Sequence, residues 1–133
     1  MKIVSLEIIN KSWGCIGPNT ISQVQTIIRE TGQVEISTFK GISEKPIELY
    51  ECEISGKVIE LFFKNLIKDV KILDWKDNYS VEVCDGYHWD VIITFSDGTR
   101  KKVQGTVEPP PHGELLEEMI YTILNHEKKP WLL

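Results

Sequence analysis

The chain has 133 residues, with 41% hydrophobic side chains, 26% charged side chains and a formal net charge of −5. The length suits one domain with an ordinary apolar core, and the composition is typical of a soluble globular protein. A general nucleic-acid binder usually carries a basic stripe, so the acidic balance argues against that class. No apolar stretch approaches the roughly 18 residues of a membrane span.

The expected compartment is the cytoplasm. Glu7 lies where a signal peptide would be apolar, so we expect no such peptide. Cys15, Cys52 and Cys84 form no Cys-x-x-Cys pair, which favours a reduced protein with free thiols.

The first half of the chain predicts four strands. Alternating apolar and polar residues indicate strands at about 2–9, 22–29, 33–39 and 48–54. The three-residue loop Glu30-Thr31-Gly32 joins the second strand to the third and puts their apolar residues on one face. The resulting pairs are Ile28 with Val34, Thr26 with Ile36 and Val24 with Thr38. Lys11–Thr20 is predicted to be a loop, because it contains two glycines and a proline.

Two amphipathic helices are predicted. The first follows Ser55, a candidate N-cap, and the second covers Glu114–Glu127. Apolar side chains recur at helical spacing in both helices: Ile59, Phe62, Phe63, Leu66 and Val70 in the first, and Leu116, Met119, Ile120, Ile123 and Leu124 in the second. Each helix therefore has one apolar stripe to pack against another element.

Trp75–Pro111 predicts a three-stranded β-meander with turns at Asp85-Gly86 and Asp97-Gly98. Three-residue loops are preferred at both turns because they put the apolar residues on one face. The first loop, Cys84-Asp85-Gly86, gives the pairs Val83 with Tyr87, Val81 with Trp89 and Tyr79 with Val91. The second, Ser96-Asp97-Gly98, gives the pair Val91 with Val103 and turns Lys101 inward opposite Ile93.

These elements predict an α+β fold with an antiparallel sheet of five to seven strands and two helices on one face. Residues 1–133 are expected to form a single domain. Core packing is the expected role of the aromatic residues Trp75, Tyr79, Tyr87 and Trp89. Arg100-Lys101-Lys102 lies on the predicted outer strand, where basic residues protect an open edge from further pairing.

The second half of the chain resembles a widespread set of small uncharacterised bacterial proteins. The resemblance covers about residues 62–124 and rests on the spacing Trp75-x3-Tyr79, Asp85-Gly86-x2-Trp89, Asp97-Gly98, then Gly105 and Pro109 before a C-terminal helix. This chain departs from the pattern between Gly105 and Pro109, where it lacks a frequent polar Asn. Because members of the set have no settled activity, the resemblance implies a fold more than a function.

One set of candidate catalytic residues can be drawn on the predicted meander. The pairing places Glu82 opposite His88, and Cys84 lies in the adjoining loop. A carboxylate can orient a histidine as general base and a cysteine can act as nucleophile, so a small hydrolase is the alternative function. An exposed cross-strand charge pair explains Glu82 and His88 more simply, since nothing supplies an oxyanion hole.

The sequence indicates neither a metal nor a cofactor. His88, His112 and His126 are far apart and have no partners at metal-ligand spacing. The glycines of residues 14–18 are not followed by the Gly-Lys-Ser/Thr ending of a phosphate-binding loop.

In the absence of a catalytic motif, we expect a non-enzymatic protein-binding module. Small acidic bacterial proteins of this kind often act as inhibitors, as immunity proteins do against toxins and nucleases or counter-defence proteins against defence effectors. An acidic surface attracts basic targets, so the expected partner is a basic protein, and a homo-oligomer is left open.

Two surfaces are candidate contact sites. Ile92 is the apolar residue on the polar outer face of the meander, with Glu82, His88 and Asp90 in its charged rim. Trp13 is a tryptophan in a polar loop and could anchor a partner. The alternatives are that Ile92 is an ordinary exposed residue or is covered by another subunit, and that Trp13 packs on the sheet edge.

Overall fold

The computed structural model describes residues 2–13, 21–41, 45–80, 86–106 and 109–125. Its elements in chain order are β1 (Ile3–Trp13), β2 (Ile21–Arg29), β3 (Gln33–Lys40), β4 (Glu48–Glu53), α1 (Gly56–Lys68), a short 3-10 helix (Ile72–Asp74), β5 (Asn78–Tyr79), β6 (Gly86–Phe95), β7 (Arg100–Thr106) and α2 (Gly113–Asn125). The strands form one seven-stranded sheet in the order β4-β3-β2-β1-β6-β7-β5. All neighbours are antiparallel except β5 and β7. The predicted α+β class and number of strands are confirmed.

Two of the three loops predicted from their glycines, Glu30-Thr31-Gly32 and Ser96-Asp97-Gly98, are confirmed, and residues 84 and 85 of the third lie outside the described part of the chain. Gly32 has φ 97° and Gly98 has φ 88°, the left-handed conformation that a type I turn with a bulge needs. The observed pairs Ile28 with Val34, and Val91 with Val103, match the predicted registers. Loop length therefore sets the register of each of these hairpins.

The predicted first hairpin of the meander is wrong. Trp89 lies between Asn10 of β1 and Gly105 of β7, so Val81 cannot be its neighbour. Val91 lies between Ile8 of β1 and Val103 of β7, so it does not pair with Tyr79 as predicted. Tyr79 pairs instead with Gly105 in a parallel ladder. The physical reason is that β6 already has β1 on one side and β7 on the other, so no side of β6 is left for the strand that precedes it. The pairing of Val83 with Tyr87 lies outside the described residues.

β1 is also longer than its predicted span of residues 2–9. It continues to Trp13, which pairs with Gly86 at the start of β6. The predicted loop from Lys11 therefore begins later, because a long neighbouring strand offers partners for the backbone of residues 10–13. Residues 14–20 lie outside the described part of the chain.

Both helices bury their predicted apolar stripes in one core with the same face of the sheet. From α1 and the segment after it come Ile59, Phe62, Phe63, Leu66 and Val70, and from α2 come Leu116, Ile120, Ile123 and Leu124. Ser55 occupies the N-cap position of α1, although its side chain makes no capping hydrogen bond. The predicted end of α2 at Glu127 falls outside the described residues.

Aromatic packing completes the core beside β7, and a partly buried lysine lies next to it. Trp89 is buried and stacks on Tyr79, with ring centroids 6.2 Å apart. Lys101 does point inward as predicted, and its ammonium group donates to the carbonyls of Leu73 at 3.2 Å and Trp75 at 2.7 Å. The side chain thereby satisfies two backbone acceptors of the 3-10 segment.

Candidate protein-binding face

The face of the sheet opposite both helices is the candidate site, called the outer face below. In the strands it carries the alternate residues that the core does not use, such as Glu7 and Ile9 of β1 and Asp90 and Ile92 of β6. No helix of the described ranges contributes to it, since both helices belong to the core cluster on the other side. The outer face is therefore a broad surface built on rigid strands.

Three isoleucines occupy the middle of the outer face, on three consecutive strands. Ile27 of β2 pairs with Glu7 of β1, which pairs on its other side with Ile92 of β6. Ile9 lies two residues farther along β1, diagonally adjacent to the other two, within reach of their side chains. All three are partly buried. We call Ile9, Ile27 and Ile92 the isoleucine centre.

The isoleucine centre is larger than the sequence indicates. The sequence pattern of the meander predicts Ile92 alone, because it does not show that β1 lies beside β6. The pairing of β1 with β6 adds Ile9, and the pairing of β1 with β2 adds Ile27. In the sequence, Ile9 and Ile27 alternate with the core residues Ile8 and Ile28, which puts their side chains on the face opposite the core. The alternation does not show which strands lie beside β6.

Asp90 is an unusual member of this face because it is only 6% exposed. Its Oδ1 lies 3.2 Å from His88 Nε2 and 3.9 Å from Lys102 Nζ. Its neighbours on the adjoining strands are Ile9 and Gln104, not Ser80 as the predicted meander implied. A buried carboxylate is tolerated when hydrogen-bonded and paired in this way, and it holds His88 and Lys102 beside the isoleucine centre.

A rim of paired polar and charged residues surrounds the isoleucine centre. Glu7 lies inside this rim, between Ile27 and Ile92, and accepts a hydrogen bond from Gln25 across the β1–β2 pair. Arg29 and Glu35 form an ion pair at 3.1 Å on β2 and β3. Lys102 completes the rim on β7, where its side chain remains 60% exposed. The outer face thus combines three apolar side chains, interleaved with Glu7 and Asp90, with a hydrated, charged border, and a polar rim of this kind is common at interfaces.

The predicted pairing of Glu82 with His88 is wrong. His88 lies between Lys11 of β1 and Thr106 of β7, and its carboxylate partner is Asp90 on the same strand. The reason is again that β1 and β7 occupy both edges of β6. Glu82 and Cys84 themselves lie outside the described residues. A His–Asp pair is present, but the cysteine that the structure describes, Cys52, lies on the edge strand β4 and not beside it.

Trp13 ends β1, and its backbone pairs with Gly86, which places it at the end of the sheet rather than in a free loop. Its side chain lies outside what the structure describes. Across the described ranges, no three His, Cys, Asp or Glu side chains come together as a metal site. Cys52 lies on β4 and is partly buried.

Comparisons with known proteins give no family assignment. No protein-family model matches the chain, and no curated protein matches it. The resemblance to small bacterial proteins therefore stays a prediction. Among the helices of the described ranges, none has the length and apolar character that crossing a membrane requires.

Proposed function

We propose that this chain is a non-enzymatic protein-binding module that contacts its partner through the outer face. The observation that carries the proposal is the isoleucine centre, which lies partly exposed on a helix-free face, with Glu7 between Ile27 and Ile92 and further charged residues around it. A desolvated apolar middle with a polar rim is the arrangement in which binding energy concentrates. Ile9 is its member nearest to Asp90 and His88, because it pairs directly with Asp90.

The proposed partner is a basic protein. The chain carries a net charge of −5, and the exposed glutamates of β4, Glu48, Glu51 and Glu53, lie along one edge of the sheet. Such a field accelerates association with a positively charged surface. Nucleases and other effectors that act on nucleic acid carry such surfaces, so the proposed role is an inhibitor of the immunity or counter-defence type in a bacterial cytoplasm.

Fixed side chains support this role. Asp90 lies 3.2 Å from His88, and the hydrogen bond from Gln25 orders Glu7 between Ile27 and Ile92. Because these groups are ordered before binding, a partner meets a surface that loses little side-chain entropy. The pairing of β2, β1 and β6 likewise fixes the positions of the three isoleucines relative to one another.

The experiment compares Ile92→Asp and Ile27→Asp with a matched control, Leu61→Asp. Leu61 is 56% exposed on α1, on the other side of the sheet. A partner captured from the native host is purified, and its affinity for each variant is measured by calorimetry, with circular dichroism to check the fold. We expect the two outer-face variants to weaken binding by at least about tenfold and the control to bind as wild type.

Two results would contradict the proposal. Equal affinities for wild type, Ile92→Asp and Ile27→Asp would place the partner elsewhere. A catalytic turnover that disappears in His88→Ala while the fold persists would favour the hydrolase alternative, since the His88–Asp90 pair could then act as a general base.

A further inference from the structure

One sheet edge remains open over part of its length. β5 pairs with β7 only at Gln104 and Gly105. Before Asn78 the chain bends away into the 3-10 helix, so no described strand lies beside Arg100–Val103. This edge adjoins the outer face at Lys102, but strand addition uses the backbone of β7 and does not depend on the proposed function.

The hydrogen-bond pattern tells which groups this edge presents. Phe95 donates to the Thr99 carbonyl at 2.9 Å, and Gln104 donates outward to the Asp77 carbonyl at 3.0 Å. Backbone groups in an antiparallel pair alternate between the two sides of a strand. The N–H and C=O groups of Arg100 and Lys102 therefore point the same way as those of Gln104, toward the open edge.

A groove of about 440 Å³ runs along this edge, lined by Asp77, Asn78, Arg100, Lys101, Lys102 and Gln104. The side chain of Lys101 fixes one wall, because its ammonium group binds the carbonyls of Leu73 and Trp75. The groove thus has an ordered wall and a row of strand backbone groups.

We propose that this groove binds an extended acidic peptide segment, which adds as a short strand to β7. An added strand alternates its side chains between the two faces of the sheet. On one face they would meet Arg100 and Lys102, so acidic residues fit there. On the other they would meet Lys101, whose ammonium group already binds the carbonyls of Leu73 and Trp75, so apolar residues fit there. The ligand is a segment of alternating acidic and apolar residues.

Basic residues on an edge strand also protect it from unwanted pairing, and the two roles differ in a measurable way. An edge that is only protected should bind no added strand, whereas the proposed site should bind acidic strands and not neutral or basic ones. The selectivity should depend on backbone groups as well as on charge, because strand addition uses main-chain hydrogen bonds.

The test uses a fluorescein-labelled hexapeptide of alternating glutamate and valine, titrated with the whole chain and followed by fluorescence anisotropy. Two control peptides are the same sequence with N-methylated amides and a lysine–valine hexapeptide. We expect saturable binding of the first peptide, and no binding of either control at about 1 mM protein. Binding of the methylated peptide as tightly as the first would overturn the proposal, because charge alone would then suffice.

Two variants at one residue separate backbone from charge. Lys102→Gln removes the charge, whereas Lys102→Pro also removes the edge N–H without disturbing the pairing with β6, where proline is tolerated. We expect the proline variant to bind the acidic peptide about fivefold to tenfold more weakly than the glutamine variant. Equal affinities for the two variants would overturn the proposal.

Arg100→Glu tests the same site if the proline variant fails to fold. We expect it to weaken acidic-peptide binding by at least about tenfold, and unchanged affinity would overturn the proposal. Sedimentation of the wild-type chain at rising concentration gives a last check. Self-association that Arg100→Glu abolishes would assign the edge to the acidic β4 of a second copy and overturn the proposal as well.

Discussion

The contact between Gly105 and Trp89 shows how the absence of a side chain shapes this core. The two residues pair directly across β7 and β6. A Cβ placed on Gly105 would lie only 2.3 Å from Trp89 Cζ2. The indole therefore occupies space that any larger residue at position 105 would need, and Tyr79 stacks on it from β5.

Gly105→Ala should destabilise the fold by about 1–3 kcal/mol, because overpacking forces the indole or the strand to move. Urea unfolding followed by tryptophan fluorescence measures the free energy of unfolding. The control is Gly56→Ala, since an added Cβ there meets no atom within 4 Å. The control should be neutral or slightly stabilising in α1. Similar destabilisation by both variants would contradict the tight contact.

The candidate site could be predicted in part from single residues. Alternation along β6 correctly puts Asp90 and Ile92 on the face opposite Val91 and Ile93, because successive side chains of a strand point to opposite faces. The contribution of Ile9 depends on which strand lies beside β6. That adjacency results from contacts between distant parts of the chain, which one segment's pattern does not contain.

At the scale of elements, a loop ending in glycine predicted the register only where the strands on either side of it pair with each other. The loops after β2 and β6 each end in a glycine with positive φ, and the predicted registers of both hairpins are confirmed. β5, by contrast, precedes β6 in the chain but lies on the far side of β7. Local pairing failed there because β1 and β7 pair with β6 over far more residues than β5 could.

The turn between β6 and β7 gives a pH-dependent prediction. The Thr99 hydroxyl donates to Asp97 Oδ1 at 2.6 Å and the Thr99 N–H donates at 2.9 Å. These bonds, the hydroxyl's first, lower the pKa of Asp97 below its ordinary value of 3.8. The lowered pKa means that the carboxylate stabilises the turn above pH 3.8 and that this contribution is lost as the pH falls through the folded-state pKa.

Thr99→Val should raise the pKa of Asp97 toward 3.8, because it removes the hydroxyl donor and keeps the backbone donor. An NMR titration of the Asp97 carboxyl carbon measures this change. Thr31→Val, in the loop after β2, is the control and should leave Asp97 unaffected. An unchanged Asp97 pKa in the Thr99 variant would show that the hydroxyl bond has no role in the turn.

For the whole molecule, the sheet order sets both the charge distribution and the rigid part of the surface. The glutamates of β4 lie at one edge and the basic residues of β7 near the other, with the isoleucine centre on β2, β1 and β6 between them. The central strands also carry much of the core, including the fully buried Leu6 and Ile93. The proposed partner face therefore lies on the strands that should open last.

Amide hydrogen exchange should follow this order. We expect the slowest exchange in β1 and β6, because each has a paired strand on both sides and contributes buried side chains to the core. β4 should exchange faster, since one of its edges is unpaired among the described strands and Leu49 on it is 55% exposed. β5, with two paired residues, should open first. Mass spectrometry of proteolytic fragments measures the rates at residue-segment resolution. Exchange in β4 as slow as in β6 would mean that the β4 edge is covered. Exchange in β1 as fast as in β4 would mean that the strands of the proposed binding face are not rigid.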